Sequence, residues 1–121
     1  MFTRRRILCV EDDNDTSFML TYLLMQEGHE ARSVATVEEA LSLARKESFS
    51  LYIIDQWFLR GSGTGLCGQI REFDPHTPII IYSGAVLDST REDALLAGAN
   101  AFVAKPLVDE LLKAVEHLLR L

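Results

Sequence analysis

Residues 51–66 read LYIIDQWFLRGSGTGL. Leu51–Ile54 is an unbroken apolar run of four, the signature of a short strand buried on both faces. An acid, Asp55, follows at once, and Gly61, Gly63 and Gly65 mark a loop before a helix over about residues 66–73. A strand with two buried faces belongs to a parallel sheet covered by helices on both sides. That sheet needs partners, and the rest of the chain supplies them.

Upstream, residues 7–10 (ILCV) form a second apolar run. Residues 15–27 then place Thr16, Met19, Leu20, Leu23 and Leu24 on one helical face, with Gly28 as the stop. Glu30–Val34 is a weaker, alternating strand. Thr36 predicts an N-cap, with Glu39 completing a capping box, for a helix to about residue 47 that turns Val37, Ala40, Leu41 and Ala44 inward. Downstream, Asp74-Pro75 ends the third helix and residues 78–82 (PIIIY) form the next strand. A helix from Asp88-Ser89 to near Gly98 follows, then AFVA at 101–104, then a helix over 107–119 that turns Val108, Leu111, Leu112, Val115 and Leu119 inward. Five strand–helix pairs with short links predict an α/β fold, a doubly wound five-stranded parallel sheet with five helices, in one domain over residues 1–121.

Composition narrows the function. The chain has 121 residues, 48% apolar and 25% charged, with a net charge of −6. That is an ordinary globule with an acid surplus, which argues against direct nucleic-acid binding. Arg4-Arg5-Arg6, the only basic cluster, reads as a solvated lead-in to the first strand. Cys9 and Cys67 lack any metal or redox spacing and read as reduced, packed thiols. No apolar stretch reaches the ~18 residues of a membrane span and no signal-peptide pattern opens the chain, so the expectation is no membrane and a cytoplasmic location. His29, His76 and His117 are dispersed and read as surface residues.

In an open parallel sheet, ligands bind beyond the carboxyl ends of the strands. At those ends stand Glu11-Asp12-Asp13, Asp55, Ser83 with Gly84, and Lys105 with Pro106. Carboxylates ~4 Å apart repel by about 4 kcal/mol per pair at an effective dielectric near 20. Protonation or a divalent cation relieves that, and an all-oxygen set suits Mg²⁺ or Mn²⁺. Asp13 is assigned to capping the first helix rather than to the cation. Metal, lysine and hydroxyl together would seat a phosphoryl group, with a carboxylate as nucleophile.

ILCVEDD, LYIID, IIIYSGA and AFVAKP, in that order, resemble the receiver domain of two-component response regulators across the whole chain. The resemblance implies the flavodoxin-like fold with strand order 2-1-3-4-5. It implies Asp55 as phosphoacceptor, and a metal held by Glu11, Asp12, Asp55 and the backbone carbonyl of Trp57, with Asp12 binding directly and Glu11 mainly through water. Ser83 and Lys105 match the phosphoryl-stabilising positions, Ser83 and Phe102 the switch, and Lys105-Pro106 a cis peptide. The implied partners are a sensor histidine kinase or phosphotransfer protein, and an effector that reads the face of the fourth helix, fifth strand and fifth helix. The implied chemistry is confined to the protein's own phosphorylation and dephosphorylation, so it is no enzyme toward an external substrate.

Other readings stay open. A phosphohydrolase with an aspartate nucleophile usually carries a second aspartate two residues on, where this chain has Trp57. A nucleotide or flavin binder wants free amides after the first strand, where Glu11-Asp12-Asp13 would repel phosphate. The loop QWFLRGSGTG lacks the family's proline and reads about two residues longer before the glycine that opens the third helix. That keeps a phosphorylation-independent docking module in play. Trp57 overlooks the acceptor and is expected to hinder attacking water. Phe18, Tyr22 and Met25 lie three and four apart, off the buried face of the first helix. They form either an exposed stripe for a partner or a second copy, or packing against a neighbouring loop or the last helix.

Overall fold

The computed structural model describes residues 5–84 and 88–120. Arg4 of the basic cluster and Ala85 of the third motif lie outside them. The strands are β1 (Arg6–Val10), β2 (Glu30–Val34), β3 (Leu51–Ile54), β4 (Trp57–Phe58), β5 (Gly61–Ser62), β6 (Ile79–Ser83) and β7 (Ala101–Ala104). The helices are α1 (Asn14–Gln26), α2 (Val37–Lys46), α3 (Gly63–Arg71), α4 (Asp88–Leu96) and α5 (Val108–Leu119). Five strands form one parallel sheet in the order β2-β1-β3-β6-β7. With β4 and β5 set apart as a separate antiparallel pair, this is the expected 2-1-3-4-5 order.

Alternation along each strand divides the core. Ile7, Cys9, Leu51, Ile53, Ile80, Tyr82 and Val103 face α1 and α5, meeting Leu20, Leu24, Leu111, Val115 and Leu118. Leu8, Val10, Tyr52, Ile54, Ile79, Ile81 and Phe102 face the other way, against Ala40, Ala44, Leu66, Cys67, Ile70 and Ala94 of α2, α3 and α4. In α5, Leu118 is buried with Leu111 and Val115, while the expected Leu112 and Leu119 pack against the same core partly buried. Both thiols are free and buried, and burial pushes Cys9 up to about 12.

Caps set the helix starts. The Asp13 carboxylate accepts from the Thr16 amide at 2.9 Å, as its assignment to capping requires. Thr36 Oγ1 accepts from the Glu39 amide at 3.1 Å, while the Glu39 carboxylate meets the Thr36 hydroxyl at 3.0 Å rather than the Thr36 amide of a full capping box.

Three further expectations change. The third helix opens at Gly63, three residues before the predicted start, with the Ser62 hydroxyl accepting from the Gly65 amide at 3.0 Å. The extra loop length inferred from the sequence therefore belongs to the helix. Arg6 is no free lead-in: it lies in β1, its guanidinium reaching Glu30 at 3.2 Å, Glu47 at 2.5 Å and the Phe49 ring at 4.9 Å. His29 is half-buried rather than on the surface, and that burial lowers its pKa.

Candidate functional site

The strand order reverses between β1 and β3, the switch point where an open α/β sheet leaves a crevice. Parallel register brings the carboxyl ends level there: Val10 stands beside Ile54, Ile54 beside Ile81, and Ser83 beside Ala104. The residues that follow inherit the alignment. The Asp55 amide donates to Val10 O at 2.9 Å and the Lys105 amide to Ser83 O at 2.9 Å, carrying the ladder one residue beyond the strands.

Glu11, Asp12 and Asp55 thus converge, one carboxylate oxygen from each lying within 4.8 Å of the others. Lys105 Nζ donates to Glu11 at 2.7 Å and to Asp55 Oδ1 at 3.3 Å, and sits 5.8 Å from the Tyr82 ring centroid. Glu11 is only 3% exposed. Burial pushes its pKa up, and the bond from Lys105 and the Asp13 amide pull it part of the way back. Burial alone would lower Lys105, but the bond to Glu11 and the charge of Asp55 hold it above its ordinary value. Three acids against one lysine leave a surplus of negative charge made wholly of oxygen ligands. That donor set fits Mg²⁺ or Mn²⁺ and does not fit zinc.

The remaining residues take different places. Ser83 is fully buried as the last residue of β6, one strand position from Lys105 by register. Phe102 is paired with Ile81, buried, and already turned into the core on the α4 side. There Arg91 Nη2 donates to its backbone carbonyl at 3.2 Å and the guanidinium carbon stands 5.8 Å from its ring centroid. The Lys105–Pro106 peptide is cis.

The segment after Asp55 holds what sequence reasoning missed. Trp57 and Phe58 pair with Ser62 and Gly61 across a two-residue turn, Leu59-Arg60. Phe58 packs onto the core, whereas Trp57 is 57% and Leu59 94% exposed. Gly61 takes φ 127, open to glycine at little cost, at the hairpin's return. The alternation of Trp57 and Phe58 was the available signal, masked by the glycines beyond. Gln56, which is 4% exposed, takes the Thr64 amide at 2.9 Å and hydroxyl at 3.0 Å on its side-chain oxygen. On α1, Phe18, Tyr22 and Met25 are all exposed, and the first two rings stack at 6.5 Å.

Comparison with known proteins agrees with this geometry. The model of the response regulator receiver domain matches residues 7–116. The response regulator PilR of Pseudomonas aeruginosa is 32% identical over 105 residues, covering 87% of this chain and 24% of PilR. The phosphate regulon regulator PhoB of Rhizobium meliloti is 35% identical over 120 residues, covering 95% of this chain and 52% of PhoB. The chain thus spans about half or less of the length of these curated relatives. Among solved structures, response regulator TrrA of Thermotoga maritima, in complex with Mg²⁺ and BeF, is 30% identical. It superposes with a TM-score of 0.86 over 94% of this chain and 98% of that one. A two-component response regulator from Clostridium difficile, 26% identical, gives 0.91 over 96% of each chain. Matched along nearly its whole length by that model, the chain belongs to the response regulator receiver domain family.

Proposed function

We propose that the chain accepts a phosphoryl group on Asp55 from a histidine kinase or phosphotransfer protein and thereby changes which effector it binds. The observation that carries this is Lys105 Nζ bridging Glu11 and Asp55 inside the three-carboxylate cluster. Glu11, Asp12 and Asp55, with the backbone carbonyl of Trp57, would hold the cation. When bound, Mg²⁺ or Mn²⁺ supplies positive charge to the phosphoryl oxygens.

A carboxylate oxygen of Asp55 forms the new bond to phosphorus as the donor's P–N bond breaks, the electron pair leaving with the imidazole. Lys105 stabilises charge on the transferring group. Ser83 then donates to the phosphoryl oxygens and Phe102 repacks, shifting the population of the face built by α4, β7 and α5 toward its effector-binding form. The docking module that never takes a phosphoryl group has no observation in its favour. The reaction is the protein's modification of itself, in a cytoplasmic setting. Among the described residues no helix is long and apolar enough to cross a membrane.

Incubation with acetyl phosphate and Mg²⁺, followed by intact mass and peptide mapping, tests the reading. One hydroxylamine-labile adduct on the Asp55 peptide is expected. No adduct from any donor overturns it.

Two surface features tune the exchange. Exposed Trp57 shields the acyl phosphate from water, so Trp57→Asn should speed dephosphorylation severalfold, by about 1 kcal/mol of barrier. An unchanged phosphoryl lifetime removes that role. The Phe18–Tyr22–Met25 stripe is the docking face for the phosphodonor. Asp15 and Glu27 lie on the same helix and its end, and α1 has no basic residue. A second copy would set like charges together, so a partner with a basic rim is favoured over a homodimer. Tyr22→Glu should slow transfer from the kinase about tenfold, worth ~1.4 kcal/mol, while uptake from acetyl phosphate stays native. Equal slowing with both donors contradicts docking.

A further inference from the structure

Asp55 does not meet its neighbours symmetrically. The Gln56 amide donates to Oδ1 at 2.9 Å, and Lys105 Nζ reaches the same oxygen at 3.3 Å. Both donors that the described residues bring to the carboxylate converge on Oδ1. What fixes the first of them is the rest of Gln56. Its backbone oxygen accepts from the Gly63 amide at 2.8 Å, and its side-chain oxygen accepts both the amide and the hydroxyl of Thr64. A helix start leaves its first amides without intrahelical partners. Here Gln56 takes two of them, and Ser62 takes the Gly65 amide. The peptide that ends in the Gln56 N–H is therefore anchored, through one buried residue, to the first turn of α3.

We propose that Gln56 is a positioning residue for phosphoryl transfer. Anchored by Thr64, it holds its own N–H on Oδ1 of Asp55 and leaves Oδ2 to attack phosphorus. The inference rests on the acceptor reading above and adds to it which oxygen reacts and what keeps it aimed. A hydrocarbon side chain at position 56 would strand the Thr64 amide and free the peptide to rotate. The Asp55 carboxylate plane would then turn more freely, and part of the bound population would aim neither oxygen in line with phosphorus. Glu11 and Asp12 come from the end of β1, which the anchor does not touch, and Asp55 offers the cation an oxygen in either orientation of its carboxylate, so cation binding should fall less than group transfer.

The test compares Gln56→Met, Thr64→Ala and Thr64→Ser with the native chain. For each, the initial rate of uptake from acetyl phosphate is measured at saturating Mg²⁺, with Mg²⁺ affinity by titration calorimetry and folding by urea unfolding. Gln56→Met should lower the rate about tenfold and Thr64→Ala about threefold, with Mg²⁺ affinity changed by less than about twofold. Thr64→Ser, which keeps the hydroxyl, should restore the native rate. A folded Gln56→Met at the native rate overturns the proposal, as does a rate that falls only in step with Mg²⁺ affinity. If Gln56→Met does not fold, the Thr64 pair decides: equal rates for Ala and Ser overturn it. A native chain that takes no phosphoryl group is a different failure, seen before any variant is made, and brings down the acceptor reading itself.

Discussion

Lys105→Met should slow phosphoryl uptake from acetyl phosphate by about a hundredfold or more, while the same variant should bind Mg²⁺ more tightly than the native chain. The two effects run in opposite directions for one reason. Lys105 is the only cation that the described residues bring to the three-carboxylate cluster, bonded to Glu11 and Asp55 at once. In the proposed transfer its charge would rest on the phosphoryl oxygens, and removing one such preorganised donor typically costs ~10²–10³ in rate. In the resting site the same charge competes with the metal for the same oxygens, so its loss leaves the cation a more negative cage. Without metal the variant loses about 2 kcal/mol of stability, because Glu11 stays buried without its partner. Added Mg²⁺ then recovers more stability in the variant than in the native chain. Rates by intact mass, affinities by calorimetry and urea unfolding with and without Mg²⁺ check the set. A variant that loses rate and metal affinity together would show that Lys105 only holds the site's shape. Asp55→Asn, which lacks the nucleophile, marks the floor of the assay.

Two glycines of one helix should respond to alanine with opposite signs. A Cβ on Gly63 would lie 2.3 Å from the Asp55 carbonyl oxygen and 3.1 Å from both Asp55 C and Gln56 Cα. All three are backbone atoms, so no side chain can swing aside. Gly63→Ala therefore costs about 3 kcal/mol, the upper range for overpacking, despite alanine's better helix propensity. The backbone that must yield belongs to Asp55, the proposed phosphoacceptor, so uptake should fall with stability. A Cβ on Gly68 meets nothing within 4 Å. Gly68→Ala should stabilise by roughly 0.5–1 kcal/mol through propensity alone and leave uptake unchanged. Urea midpoints for the two variants check the signs. A Gly63→Ala as stable as the native chain would mean that α3 can slide away from the acceptor strand at little cost.

Gly63 also marks where the sequence was hardest to read. β1, β3, β6 and β7 stand out because both faces of each are covered, which leaves an apolar run as the only workable pattern. Asp55, Glu11, Asp12 and Lys105 were legible as a set because parallel topology alone sends every strand end to one edge. Their contacts were not legible: that Lys105 prefers Glu11 to Asp55 depends on distances that no pattern encodes. Glycine in general signals a break in a helix, so Gly63 and Gly65 read as loop. At Gly63 the requirement is instead room for a neighbouring backbone, a tertiary demand invisible to local propensity. Arg6 misled for the same kind of reason. Its membership in a basic triplet suggested solvent, and only the fold brings Glu30, Glu47 and Phe49 around it.

Trp57 is the chain's single tryptophan, more than half exposed, and two residues past Asp55. Indole emission responds to nearby charge and to contact with water, and no second tryptophan contributes background. The domain thus carries its own fluorophore two residues past Asp55, in a hairpin that leaves the ring more than half exposed. Metal titrations, donor binding and the decay of the acyl phosphate should all be visible as changes in intrinsic emission, in real time and without a label.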